Sequence, residues 1–230
     1  MGAQPFRHLR FSMLTIHGVS RSRASRIIWL CHELGLPFRQ EPVIQAYKLP
    51  FPDAPGAALN TRSPSFLALS PAGAIPVIED DGLVLSESLA CTLHLARKHG
   101  GDLAPRDAAE EALMLQWSFY AATAIEPDAL TIMMLHTGRE QSGEDATLIA
   151  DAAERLVRPM KVLEDHLATH GHLVGGRFTV ADLNVAEIVR YAEGYGELMG
   201  QFPAVQAWLT ACHDRPAFRK MWDARMAEEQ

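Results

Sequence analysis

Cysteine is scarce in this 230-residue chain, and its three copies stand far apart at Cys31, Cys91 and Cys212. They offer no CxxC pair and no metal-ligand spacing, which excludes a disulfide scaffold and suits a reducing compartment. The ten histidines are scattered, and no metal site is indicated. Positive charge is also in short supply. With 21 Lys and Arg against 28 Asp and Glu the net charge is -7, so the general electrostatic attraction that drives nucleic-acid binding is missing. No apolar run approaches the ~18 residues of a membrane span. The N-terminus carries Arg7, His8 and Arg10, but the apolar run after them, Met13 to Ile16, is too short for a secretion signal. Phe6 stands where a myristoylation signal needs Ser or Thr. The expectation is a cytoplasmic protein without a nucleic-acid or membrane partner. Internal repeats and low-complexity tracts are absent.

What is present is an ordinary globular composition, 48% hydrophobic, long enough for one large or two small domains. Met13 to His17 reads as a short strand ending at Gly18. Ala24, Ile27, Ile28, Cys31 and Leu34 then share one helical face, and Gly35 with Pro37 supplies the stop. Phe38 to Ile44 fits a second strand, parallel to the first across the helix. A proline-rich connector over 45–62 follows, with Pro50, Pro52 and Pro55. Pro76 lacks an N–H and must open the Val77-Ile78 strand or lie on an edge. Ile75 beside it is pushed towards an extended conformation, its backbone N–H and C=O facing outwards. Asp81-Gly82 before Leu83-Val84-Leu85 is a hairpin turn. A helix from Ser86 to about His99 carries Glu87 and Ser88 in its first turn, where free N–H groups and the helix dipole favour a carboxylate. Beyond Gly100-Gly101 only helical patterns are found. Leu148, Ala152, Leu156, Met160, Leu163 and Leu167 form one stripe, with a kink expected at Pro159. Thr179 and Asp182 have capping-box spacing, with Phe178 and Leu183 as a hydrophobic staple.

The run from Ser63 to Leu89 resembles the glutathione site of the glutathione transferase superfamily, and the chain is identified as a soluble, bacterial-type member. Thr179 with Asp182, Phe202 to Leu209, and Arg215 to Phe218 match further landmarks, so the resemblance spans about residues 12 to 225. It implies an α/β thioredoxin-like N-terminal domain over 12–99, which binds glutathione, followed by an all-α helical-bundle C-terminal domain over 107–228. In that family the residue before a cis proline pairs its backbone with the cysteinyl part of glutathione, and an acidic-Ser pair holds the γ-glutamyl end. Those positions are Ile75, Pro76, Glu87 and Ser88. Ala74 stands where many members carry a basic or polar residue, and Lys48, Asn60 and Arg62 are candidates for the glycine carboxylate. The resemblance further implies a homodimer with glutathione as co-substrate and no prosthetic group.

A glutathione transferase must turn a bound thiol with a pKa near ~8.5 into a thiolate. Lowering it by about two units requires about 2.7 kcal/mol. One hydrogen bond to a charged acceptor supplies roughly 1.5 to 3 kcal/mol and a helix N-terminus roughly 0.3 to 2. The segment Gly18 to Arg26 offers hydroxyls and guanidinium groups but no tyrosine and no cysteine, which disfavours the tyrosine-type and cysteine-nucleophile members. Ser22 is the preferred activating group, with Arg23, Arg21 and Ser20 as alternatives. Trp117, Tyr120, Met133 and Met134 are the apolar candidates for the pocket of a small, partly apolar electrophile. The rival readings are a ligand-binding protein of the same fold without turnover, and glutathione-dependent isomerase, lyase or peroxidase chemistry.

Overall fold

The computed structural model describes residues 13–136 and 142–228. Phe6, Arg7, His8 and Arg10 lie outside the described residues. The first half is built on a four-stranded sheet of β1 (Leu14–His17), β2 (Phe38–Glu41), β3 (Val77–Asp80) and β4 (Leu83–Ser86), in the order β2-β1-β3-β4. β1 pairs parallel with β2 and antiparallel with β3, and β3 pairs antiparallel with β4. The parallel pair needs a crossover, which α1 (Ala24–Leu34) provides. α1 ends at Gly35, whose φ of 63° is the left-handed conformation that glycine adopts without penalty. The β3–β4 turn takes φ of 49° at Asp81 and 87° at Gly82, matching the twist of the strands it joins.

Three local expectations shift. β2 stops at Glu41, because Pro42 has no N–H for the ladder; Ile44 instead makes an isolated bridge to Asn60 that pins the two ends of the connector. Ser63 to Leu69, just after the connector and given no element in the sequence reading, contains α2 (Pro64–Leu69) with proline in the first turn, where its missing donor costs nothing. The next helix, α3 (Ser88–His99), begins two residues later than expected and leaves Glu87 outside the helix.

The second half has no β-strand among its described residues. α4 (Ala108–Tyr120) passes through a π-helical turn at Ala121–Ile125 into α5 (Glu126–His136). α6 (Gly143–His170), α7 (Val180–Val189), α8 (Gly196–Met199), α9 (Pro203–His213) and α10 (Pro216–Ala227) follow. α6 runs as one helix through Pro159, and its buried stripe uses Ile149 where the sequence reading placed Leu148, which is exposed. All ten residues of α7 are buried, making it the central helix. Its Asp182 carboxylate accepts from the Thr179 N–H at 2.9 Å and hydroxyl at 3.0 Å, and its second oxygen accepts from the Trp208 indole at 2.9 Å. The architecture is thus an α/β thioredoxin-like half followed by an all-helical half. Polar contacts tie the halves: Ser25 Oγ donates to Glu187 at 2.7 Å, Thr92 Oγ1 to Asn184 at 2.7 Å, and Arg215 pairs with both Glu33 oxygens at 2.6 and 2.7 Å.

Candidate active site

The cleft between the halves starts where β1 ends. Gly18 has φ of 145°, and a Cβ there would lie 3.3 Å from Ala24 Cβ and 3.4 Å from Ile75 Cβ. A side chain would push the β1–α1 loop and the Ile75 loop apart, so glycine lets the two walls of the cleft approach. The Ile75–Pro76 peptide is cis. Among the described residues the Ile75 N–H and C=O have no hydrogen-bond partner, while the neighbouring Ala74 carbonyl accepts from Ser70 Oγ.

Across from Ile75, Glu87 caps the start of α3 with φ 67° and ψ 110°, a region that a residue with a side chain rarely occupies. Its exposed side chain makes no capping bond, so the geometry is not explained by helix initiation. Ser88 is buried, and its Oγ accepts from Arg26 Nη1 at 3.0 Å. Arg26 has 1% of its surface exposed; its Nη2 donates to Glu126 at 2.8 Å and to the Tyr191 hydroxyl at 3.4 Å, and its Nε has no partner. Glu126 also accepts from Arg23 Nε at 2.7 Å. Burial alone would raise the Glu126 pKa, but the Arg26 and Arg23 guanidinium groups override it and hold the carboxyl below its ordinary value. Arg23 is correspondingly raised, against its own desolvation, by Glu126.

Of the four groups considered for activation, Ser22, Arg23 and Arg21 line this cleft. Ser22 Oγ donates to the Val19 carbonyl at 2.6 Å and accepts the Ala24 N–H at 3.0 Å, so its hydroxyl closes the turn that starts α1. Ser20 does not line the cleft; its hydroxyl accepts from Gln40 Nε2 at 3.1 Å. The loop is clasped by the end of α10. Glu228 accepts from the Ser20 N–H at 2.8 Å and the Arg21 N–H at 2.9 Å, and Arg21 donates to the carbonyls of Arg225 and Met226. Met133 lines the cleft with Leu130 and Tyr191. Trp117 and Tyr120 instead face α6: their rings meet edge-on at 5.7 Å, and the Tyr120 hydroxyl donates to the Pro159 carbonyl at 3.2 Å. Met134 is exposed and lies outside the cleft. Asn60 is spent on the carbonyls of Pro52 and Ala58, and Arg62 approaches Asp53 at 3.4 Å, so neither reaches the cleft, and Lys48 does not line it.

The sequence reading missed Arg26, Glu126, Tyr191 and Arg225. Glu126 had one available signal, an acid that directly follows the mostly apolar stretch from Ala121 to Ile125. The histidines do contain one i, i+4 pair, His166 and His170, whose rings stack at 4.4 Å; no cluster of three metal-ligating residues occurs among the described residues.

Residues 21–98 match the family described as glutathione S-transferase, N-terminal domain, and residues 113–216 the one described as glutathione S-transferase, C-terminal domain. Glutathione S-transferase 3 of Zea mays is 32% identical over 216 residues, covering 90% of this chain and 92% of that protein. The chain belongs to the glutathione S-transferase family. Among solved structures, glutathione transferase F7 from Populus trichocarpa superposes with a TM-score of 0.78 at 26% identity, covering 93% of this chain and 99% of that one. Elongation factor 1-gamma of Rattus norvegicus is 31% identical over 166 residues, 70% of this chain but 36% of that protein. Relatives named glutathione S-transferase support a transferase of that general type, with glutathione as co-substrate.

Proposed function

We propose that the protein is a glutathione transferase that conjugates the thiolate of reduced glutathione to small, electrophilic, partly apolar compounds. The observation that carries the reading is the pair of unused Ile75 backbone groups facing Glu87 and Ser88 at the start of α3. An extended peptide pairs its main chain with Ile75, its α-ammonium meets Glu87, and its α-carboxylate meets the Ser88 hydroxyl and the free N–H groups of the helix start. The sulfur then lies towards Ser22 and Arg23. Residues 12–99 form the glutathione-binding domain and 107–228 the helical domain, and the protein acts in the cytoplasm as a homodimer, with detoxification as its role.

Activation requires Ser22 to turn its proton from the Val19 carbonyl to the sulfur. The exchange replaces a neutral acceptor by a charged one, which is favourable by about 1 kcal/mol. If the hydroxyl stays on Val19, Arg23 is the nearer source of positive charge. All three cysteines are buried, and burial pushes Cys31 and Cys91 up to about 12 and Cys212 upwards, so none is available as a thiolate.

The committed Ser22 hydroxyl, together with the elongation factor relatives, favours one second reading, a ligand-binding protein of this fold without turnover. Calorimetry with reduced glutathione and a pH titration of the bound thiolate's ultraviolet absorbance separate the two. No binding removes both readings as they concern glutathione. Binding with an unshifted thiol selects the non-catalytic one.

A further inference from the structure

A half-buried guanidinium without a carboxylate partner is costly, and a cleft that keeps one at its wall is built for an anion. Arg225 is such a group. Its Nη1 donates to the carbonyls of Ser20 at 2.5 Å and Ser22 at 3.4 Å, and no carboxylate lies within 4.0 Å of the guanidinium among the described residues. The Arg21 guanidinium beside it spends Nε and Nη2 on carbonyls and likewise has no carboxylate within 4.0 Å among the described residues. Glu228, the acid of this corner, is held on backbone N–H groups. Arg190, the next cation, is already paired with Glu187 at 3.1 Å. No Asp or Glu lines this end of the cleft, where Leu130, Met133 and Tyr191 supply an apolar wall. Burial, then Arg190 and, more weakly, Arg21, hold Arg225 below its usual pKa against the opposing pull of Glu187 and Tyr191.

Resting on the transferase reading above, we propose that the electrophile taken at this end of the cleft carries an anionic group, a carboxylate or its equivalent, which Arg225 holds beside an apolar body packed on Leu130 and Met133. A carboxylate could come from the electrophile or from the glycine end of glutathione. Arg225 stands on the helical half with Leu130 and Met133, whereas every group assigned to glutathione belongs to the sheet half, and this favours the electrophile.

The test compares chlorodinitrobenzene with chlorodinitrobenzoate, each rate divided by its uncatalysed rate. In both, the glutathione sulfur bonds to the chlorine-bearing carbon, chloride leaves with the C–Cl electron pair, and the thiol proton passes to solvent. The expected result is a kcat/KM preference for the benzoate of about tenfold, one charge-assisted contact's worth. Arg225→Met removes that preference, and Arg225→Lys keeps part of it. Equal losses on both electrophiles in Arg225→Met, with no recovery in Arg225→Lys, overturn the proposal. So does a rise confined to the KM for glutathione, which assigns the guanidinium to the glycine carboxylate. Calorimetry of dinitrobenzoate against dinitrobenzene on the glutathione-free protein reads Arg225 without any turnover. A protein that binds neither compound, or both equally, refutes the inference whatever the fate of the transferase reading.

Discussion

Replacing Glu87 by glycine separates what the residue costs the fold from what it gives the site. Its backbone sits at φ 67° and ψ 110°, and a side-chain-bearing residue held in such a region costs about 1 to 3 kcal/mol. Glycine reaches the region freely but loses about 0.5 to 1 kcal/mol more chain entropy on folding. Glu87 makes no capping bond, and its exposed carboxylate near the α3 N-terminus contributes at most a few tenths of a kcal/mol in salt. The net expectation for Glu87→Gly is a gain of about 1 kcal/mol, a rise in Tm of roughly 2 to 4 °C for a chain of this size. Glu87→Ala keeps the backbone penalty and should leave Tm near that of the unmodified protein. Both variants should lose the thermal stabilisation conferred by saturating glutathione, because both lack the carboxylate. The assay is a scan of unmodified protein, Glu87→Gly and Glu87→Ala with and without ligand. A Tm that falls in Glu87→Gly, or a ligand shift that survives in both, would refute the reasoning that this backbone is held for binding.

Ser22→Ala should raise the pKa of bound glutathione by about one to two units, or roughly 1.4 to 2.7 kcal/mol, with Arg23→Ala having the larger effect if the guanidinium faces the sulfur; thiolate absorbance against pH decides. Glu126→Gln should destabilise by about 3 to 5 kcal/mol, because two guanidinium groups lose their shared buried partner. Since the folded Glu126 pKa lies below the ordinary value of 4.5, its ionised form contributes stability above that pH, and the contribution is lost as pH falls through the lower folded value. Denaturant melts across the acid range should therefore show a flatter acid limb in Glu126→Gln, and an unchanged slope would contradict this assignment. Cys31, Cys91 and Cys212 should react with a thiol reagent only on unfolding, and a variant with all three replaced that still folds should retain conjugating activity; rapid labelling of native protein would count against their burial.

The sheet half was legible because its signals are local. Pro76, Asp81-Gly82 and Gly35 each fix one backbone angle or remove one donor, and such constraints act within a few residues of their own position. β2 fell short of its expected end for the same kind of reason, a missing N–H at Pro42 that the apolar pattern concealed. α2 was hidden because Ser63-Pro64-Ser65 reads equally as loop and as helix start, and tertiary packing of Phe66 decides between them. The candidate site was legible only where its residues are neighbours in sequence. Ile75, Pro76, Glu87 and Ser88 stand within one supersecondary unit. Arg26 and Glu126 are 100 residues apart, and their pairing exists only once the helical half has folded against α1. Trp117 and Tyr120 have the right chemistry for an apolar pocket, but helical phase turns them towards α6, and neither composition nor spacing specifies phase relative to a distant loop.

The clasp of Glu228 on Ser20 and Arg21 joins positions 208 and 207 residues apart, so a loop next to the first strand of the sheet waits for a residue that is synthesised long after it. A nascent chain can assemble the sheet and α1 early, since their contacts are short in sequence, yet the loop bearing Ser22 lacks its far support until α10 has been synthesised. The β1–α1 loop is thereby left without this clasp while most of the helical half is still being made. Synthesis that stops short of Glu228 would yield a molecule with the fold's core and without this support.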